Sequence, residues 1–261
     1  MIKDINGINE TLKTIYNLRS IRNYSEKEIS TENLNLIIEA SVRAANASSR
    51  QSYSIVVIDD EDLLKKYFYN ANKGLLYCVD FNRIIDAAKY LDHTFASNNL
   101  RFFITGTTDT ILAAQTAAIA AKSLSIDSLF TNSIHREEID IVFEDFNLPE
   151  TFCFPLIALC LGYPSKEPEC LKGRLTGLGV VHHNKYHRLT PEELEILVQK
   201  YDDEESHIAL SWENWKDKGF SHYLDWFYSR WSRELPSEKL KEFHLMLEKT
   251  GFIDPEWYFI K

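Results

Sequence analysis

The chain has 261 residues, 44% of them hydrophobic and 26% charged. That composition buries a sizeable core and excludes disorder, collagen or coiled coil as a description of the whole. Lys and Arg number 29 against 39 Asp and Glu, and the net charge of -10 argues against a nucleic-acid partner.

The first residues, MIKDINGINE, hold no apolar core of the kind a secretory signal needs. Ile5, Ile8, Leu12 and Ile15 recur at helical spacing and predict an amphipathic helix over 5–17. A polar, basic segment follows, from Asn17 through Tyr24. A second helix begins where Ser30 or Thr31 can cap it, with Leu34, Ile37, Ile38, Val42 and Ala45 on its apolar face. The polar run from Asn46 to Gln51 breaks it. Ser54–Ile58 and Leu75–Val79 are rich in β-branched and apolar residues and read as strands.

Residues 108–124 carry six alanines and predict a helix with little polar surface, central and buried. Leu156–Leu161 is a near-continuous apolar run, the pattern of a strand covered on both faces. The surrounding stretch, 152–163, is too short to cross a bilayer, which needs about 20 apolar residues, so no membrane partner is expected. Thr190-Pro191-Glu192-Glu193 starts another helix with a capping box. A last helix opens at Ser237, presents Leu240, Phe243 and Leu247 on one face and stops near Gly251. Alternating helices and short strands indicate an α+β or α/β core. Past about residue 200 the composition shifts, and all five tryptophans, Trp212, Trp215, Trp226, Trp231 and Trp257, lie in this tail.

No GxSxG, HExxH or Walker A motif occurs, and Gly177-Leu178-Gly179 lacks the third glycine of a dinucleotide fingerprint. His182, His183 and His187 could be metal ligands, but their nearest acid is Glu192 and no cysteine is close, so no metal is expected. The four cysteines, Cys78, Cys153, Cys160 and Cys170, show no CxxC spacing and read as reduced thiols of a cytoplasmic protein. In Arg19-Ser20-Ile21-Arg22 two guanidinium groups flank a hydroxyl, which suits a planar or tetrahedral oxyanion. The bland alternative is a solvated surface turn. A second basic pair, Lys172 and Arg174, follows Gly162-Tyr163-Pro164. A cluster of both pairs would need an anionic partner.

Four stretches together resemble the nitroreductase family of FMN enzymes, and most closely its NADPH-dependent nitroreductase and flavin reductase subgroup. Arg19-Ser20-Ile21-Arg22-Asn23-Tyr24 is similar to the family's His/Arg-Arg-Ser-Ile-Arg-x-Phe. Asn46–Ile58 places Gln51 before a strand, and Cys78-Val79-Asp80-Phe81-Asn82-Arg83 precedes the alanine-rich helix. From Phe130 to His183 come Asn147-Leu148-Pro149, Leu159-Cys160-Leu161-Gly162-Tyr163-Pro164, Lys172-Gly173-Arg174 and Val181-His182, in the subgroup's order.

The resemblance implies an α+β, nitroreductase-like fold: a central, mostly antiparallel sheet flanked by helices, with a helical C-terminal extension. Residues 1–200 would form the FMN-binding core and 201–261 an aromatic-rich extension of the same domain. It further implies a homodimer with flavins at its interface. Arg19 and Ser20 would hold the FMN phosphate and ribityl chain, with Lys172, Gly173 and Arg174 closing on the phosphate. Arg22 would sit at the flavin N1–C2=O edge, where a cation stabilises the reduced form; it is the one catalytic assignment. Asn46 and Gln51 match a serine and a glutamine beside the isoalloxazine. Phe130-Thr131-Asn132-Ser133 matches a Tyr-Ile-Gly-Gly stretch whose backbone N–H lies near flavin N5. The implied activity is hydride transfer from NADPH or NADH, through flavin N5, to a small nitroaromatic, quinone or flavin acceptor by a ping-pong mechanism. The alternatives are a flavin-binding protein with little turnover and a specialised single-substrate flavin reductase.

The sequence departs from the family at several points. Leu18 replaces a His or Arg, and Asn132 and Ser133 replace two glycines, which matters if that turn demands positive φ. Ser125-Ile126-Asp127-Ser128 replaces a glycine-rich approach, and the stretch between Leu64 and Leu75 is shorter than in relatives. Tyr201-Asp202-Asp203-Glu204-Glu205 stands where the subgroup grips the NADPH 2'-phosphate with basic residues, which leaves NADH open as the reductant. The aromatic tail reads either as extra core or as an arm over a partner subunit or lid on the flavin.

Overall fold

The computed structural model describes residues 8–95, 100–136, 138–168, 170–209, 214–232 and 236–254. Strands β1 (Tyr53–Ile58), β2 (Lys73–Asp80), β3 (Asp127–Thr131) and β4 (Cys153–Gly162) form one sheet in the order β1-β2-β4-β3, and each pairing is antiparallel. The helices among the described residues are α1 (Glu10–Tyr16), α2 (Thr31–Val42), α3 (Glu61–Tyr67), α4 (Asn82–Tyr90), α5 (Leu100–Ser123), α6 (Ile139–Asp145), α7 (Pro191–Asp202), α8 (Tyr223–Trp231) and α9 (Ser237–Lys249). This is the expected α+β architecture, with the sheet antiparallel throughout.

The two central strands explain the two longest apolar runs. β2 and β4 lie side by side with a neighbour on each outer edge, and Leu75, Leu76, Leu159 and Leu161 are fully buried. Each such side chain contributes about 1.5–3 kcal/mol of apolar burial. α5 packs on the sheet through a stripe of small residues at helical spacing: Gly106, Asp109, Thr110, Ala113, Ala114, Ala117, Ala118 and Ala121. Small side chains let the helix approach the strands closely. The opposite face stays open, with Ile104, Ile111 and Leu112 exposed. Burial of this helix is therefore one-sided, against the expectation of full burial, because the sheet covers one face and α2 lies against it alongside. The helix also begins at Leu100, eight residues ahead of its expected start at residue 108.

Caps follow local chemistry. Asn9 caps α1, and Ser30 caps α2 by accepting the Asn33 N–H at 3.2 Å. Val42, assigned to the apolar face of α2, is exposed at the helix end. On α9, Met246 is buried beside Phe243, Leu247 and Phe252, whereas Leu240 is exposed. Gly251 takes positive φ where that helix stops.

The chain divides into two compact units. One comprises Ile8–Glu167 together with the chain from Ser237 onward, so α9 returns to the sheet-bearing unit, where it packs on α6. The other is Pro168–Pro236, which holds α7 and α8. Its own core is aromatic: Trp215, Tyr223 and Trp226 are buried, and Tyr201 stacks on Tyr223 with centroids 5.9 Å apart. Tyr228 and Trp231 remain exposed. Trp212 and Trp257 lie outside the described residues. Cys78, Cys153, Cys160 and Cys170 are free thiols, the first three buried. No helix among the described residues is long and apolar enough to cross a membrane.

Candidate functional site

The basic segment is pinned to the sheet. Ser20 forms a parallel bridge to Ser128 at the start of β3, and the Ile21 N–H donates to the Ser128 carbonyl at 3.0 Å. Further along, Tyr24 bridges Pro164, and the Ser25 N–H donates to the Tyr163 carbonyl at 2.8 Å. Gly162 makes this docking possible: a Cβ there would lie 2.5 Å from the Tyr24 ring and 2.6 Å from Asn72 Oδ1.

Exposure alternates along the segment. Ser20 and Arg22 are exposed, Ile21 is buried and Arg19 is half-buried. Arg19 is engaged by two carboxylates. Its guanidinium donates to Asp127 at 2.8 Å and pairs with Glu167 at 2.5 Å. Lys122 adds a second cation to Asp127 at 2.6 Å. Asp127 is only 3% exposed, and its hydrogen bond raises the Arg19 guanidinium above its ordinary value. These residues line a cavity of about 470 Å³ with Ser25, Lys27, Ser125, Tyr163 and Pro164; Ser20 and Arg22 are not part of its wall. Arg19 and Ser20, grouped by the resemblance, thus have different surroundings. Ser20 and Arg22 have no side-chain hydrogen bond or ion pair among the described residues.

The second element is the loop Asn46–Ser52. Ser48, Ser49 and Gln51 all have φ near +50°, the left-handed region that non-glycine residues seldom enter. The Asn46 side chain accepts the Gln51 N–H at 3.1 Å, so Asn46 is occupied in shaping the loop. The Gln51 side-chain amide makes only long contacts, 3.4 Å to the Tyr53 hydroxyl and 3.5 Å to the Val42 carbonyl. Two residues that sequence reasoning missed hold this loop. Asp109 of α5 accepts the Ala47 N–H at 2.8 Å and the Ser52 N–H at 3.3 Å. Arg83 of α4 donates to the carbonyls of Arg50 and Gln51 at 2.8 and 2.6 Å. A carboxylate inside an alanine stripe was the available signal for Asp109.

The third element is the turn after β3. Phe130 is half-buried and Thr131 buried; the Thr131 hydroxyl accepts the Ser133 N–H at 3.1 Å. Asn132 has φ of -100° and Ser133 opens a short 3-10 turn, so neither needs the left-handed region. Replacing two glycines here carries no backbone strain. The Ser133 hydroxyl donates to the Tyr67 carbonyl, while Asn132 stays exposed.

Lys172, Gly173 and Arg174 belong to the Pro168–Pro236 unit. The Gly173 N–H donates to the His207 carbonyl at 2.9 Å, and a Cβ on Gly173 would fall 2.0 Å from the Ser206 carbonyl oxygen. Only glycine admits that approach. Arg174 is exposed and folds one Nη back onto the carbonyls of Lys172 and Gly173. In the same unit His187 pairs with Glu193 at 2.8 Å and His182 stacks on Tyr186. No group of three or more metal-ligating side chains occurs among the described residues.

Two of the four thiols are disfavoured as thiolates. Burial pushes the Cys160 thiol up to about 12, and a hydrogen bond with Cys153, added to burial, raises Cys78. What is available is cations, hydroxyls and backbone donors, a set for binding and polarising an oxygen-rich anion.

Comparison with known proteins matches this layout. The model of the nitroreductase family matches residues 15–77, which include the basic segment and the Asn46–Ser52 loop. FMN reductase (NAD(P)H) of Bacillus subtilis is 30% identical over 94% of this chain and 98% of its own. The oxygen-insensitive NADPH nitroreductase of Salmonella typhimurium is 30% identical over 77% of this chain and 83% of its own. Among solved structures, NfrA1 of B. megaterium superposes with a TM-score of 0.79 at 26% identity, covering 94% of this chain and 100% of that one. With a pinned basic segment, a clamped loop and near full-length similarity to these proteins, the chain belongs to the nitroreductase family.

Proposed function

We propose that this protein is an FMN-dependent NAD(P)H oxidoreductase that reduces small acceptors such as nitroaromatics, quinones or free flavin. The observation that carries the reading is the exposed, unpartnered pair Ser20 and Arg22 on a segment fixed to β3, in a molecule of net charge -10. A guanidinium and a hydroxyl at fixed positions fit a group that is anionic and rich in carbonyl oxygens. FMN has that chemistry, and when bound it supplies two-electron transfer between a nicotinamide and an acceptor.

The residues then take these roles. Ser20 binds the phosphate and ribityl chain; Lys172, Gly173 and Arg174, in the Pro168–Pro236 unit, are a separate phosphate-binding candidate. Arg22 supplies a permanent cation at the pyrimidine edge and favours the charged, reduced state without a protein acid or base. Arg19 is assigned by its ion pairs to holding the segment rather than to direct contact. Asn46 and Gln51 present one polar loop, and the Phe130–Ser133 turn presents backbone donors. Exposed apolar residues on α1 and α5 support a homodimer. Reduced, mostly buried thiols fit a cytoplasmic setting.

The test is direct. The purified protein should carry FMN, visible as absorbance in the blue and released on denaturation. It should oxidise NADH or NADPH with a quinone or nitro acceptor, with parallel initial-velocity lines as ping-pong kinetics require. A colourless protein that takes up no added FMN overturns the reading. Bound FMN without turnover would select the flavin-binding alternative.

A further inference from the structure

We infer that Asp109 and Arg83 are positioning residues that together fix the Asn46–Ser52 loop in the shape the flavin site uses; this rests on the function proposed above. The loop cannot hold that shape alone. Three of its residues, Ser48, Ser49 and Gln51, sit in left-handed backbone without being glycine. Such conformations persist only where the surroundings over-determine them.

The surroundings here are two side chains acting on opposite kinds of backbone group. Asp109 takes N–H groups at both ends, Ala47 at 2.8 Å and Ser52 at 3.3 Å, one on each carboxylate oxygen. Arg83 takes carbonyls between them, Arg50 at 2.8 Å and Gln51 at 2.6 Å, both on one Nη. The loop's left-handed stretch is therefore bracketed by acceptors and donors from α5 and α4, reached across sequence separations of 32 to 62 residues.

Asp109 is an expensive residue for its place. It is 1% exposed and shares its stripe with Gly106, Ala113 and Ala117. No cation pairs with it among the described residues, and its two recorded hydrogen bonds both come from the loop. A buried, uncompensated carboxylate is tolerated when its hydrogen bonds are made and is costly when they are not. The carboxylate and the loop conformation therefore stabilise each other. The Ser52 hydroxyl, buried and without a hydrogen-bond partner among the described residues, takes no share in the attachment. Packing alone would be served by alanine at 109, so the charge there acts on the loop. Arg83, in turn, is exposed and, among the described residues, spends its guanidinium on carbonyls rather than on a carboxylate.

The experiment uses the FMN-loaded protein and the variants Asp109→Asn, Arg83→Ala and Arg83→Lys. Three quantities are read: amide hydrogen exchange over residues 46–52, the visible circular dichroism of bound flavin, and the dissociation constant for FMN. Asp109→Asn keeps the shape but turns an N–H donor against one loop amide. It should speed exchange in 46–52 by about tenfold or more and weaken FMN by about tenfold, with a changed flavin dichroism. Arg83→Ala should act in the same direction, and Arg83→Lys should recover part of the loss, since an ammonium lacks the planar fork. Arg83 lies on the surface, so its variants carry the test should Asp109→Asn not fold. Unchanged exchange in 46–52 overturns the proposal. Faster exchange with wild-type dichroism and FMN affinity also overturns it, while leaving the function intact. A wild-type protein that takes up no FMN removes the functional reading, and the proposal with it.

Discussion

Along Arg19-Ser20-Ile21-Arg22 the exposure alternates, and that alternation separates two arginines that are equivalent as letters. Arg22 stands in solvent without an ion pair, so truncating it removes a charge and little packing. Arg22→Ala should change stability by no more than about 0.5 kcal/mol. It should slow flavin reduction by NAD(P)H more than it weakens FMN binding; stopped-flow rates at the wild-type level would contradict this. Asp127 is the opposite case, a buried acceptor shared by Arg19 and Lys122 at 2.8 and 2.6 Å. Asp127→Asn leaves two mostly buried cations under-compensated. It should cost about 3 kcal/mol and lower Tm by roughly 6–10 °C, measured by calorimetry. The sequence showed the guanidinium pair but not its division. The ion pairs of Arg19 join residues separated by 108 positions or more, which no local pattern contains.

Elements were legible where local chemistry decided them. The capping box at Thr190 and Glu193 is present as expected, and the central strands announced themselves as apolar runs. Among the short helices, α3 is capped by Asp60, which accepts the Leu63 N–H at 3.0 Å, whereas α4 and α6 have no side-chain cap, and segments of 7 to 9 residues gain their stability from packing rather than propensity. The acidic run was readable as charge but not as architecture. Asp202 accepts the Tyr223 N–H at 2.8 Å and pairs with His222 at 2.7 Å, so it joins α7 to the start of α8. Glu204 pairs with Lys216 at 2.5 Å. The hydrogen bond it donates to Asp202 raises the His222 imidazole above its ordinary value. A raised pKa in the folded state adds stability that is complete below the unfolded value and fades as pH climbs through the folded one. Amide protection factors at the α7–α8 joint, corrected for the intrinsic pH dependence of exchange, should therefore fall as pH rises past the ordinary imidazole range, and His222→Gln should flatten that dependence. A joint equally protected across this range in both proteins would show that the pair contributes nothing.

At the scale of the whole molecule, a net charge of -10 coexists with exposed apolar side chains on α1 and α5. On α5, Ile104, Ile111 and Leu112 are 58%, 41% and 42% exposed; on α1, which packs against α5, Leu12, Ile15 and Tyr16 are 39%, 38% and 43% exposed. Alanine content predicts a central, buried helix and does not indicate which face the sheet leaves open. Scattered exposed apolar residues are ordinary, whereas several on two helices that pack together are a candidate contact surface. A homodimer closing over it would need to bury about 1,200–2,000 Å² in all to be stable. Light scattering should then give a mass of twice 30.4 kDa. Replacing Ile104 and Ile111 together by Glu places two like charges on each copy at the centre of that contact, without touching the buried alanine stripe. The variant should elute as a monomer with the wild-type far-ultraviolet circular dichroism. If the flavins lie at the interface, it should also lose FMN. A variant that stays dimeric would move the contact to another face, and a monomeric variant that keeps its flavin would place the whole site within one chain.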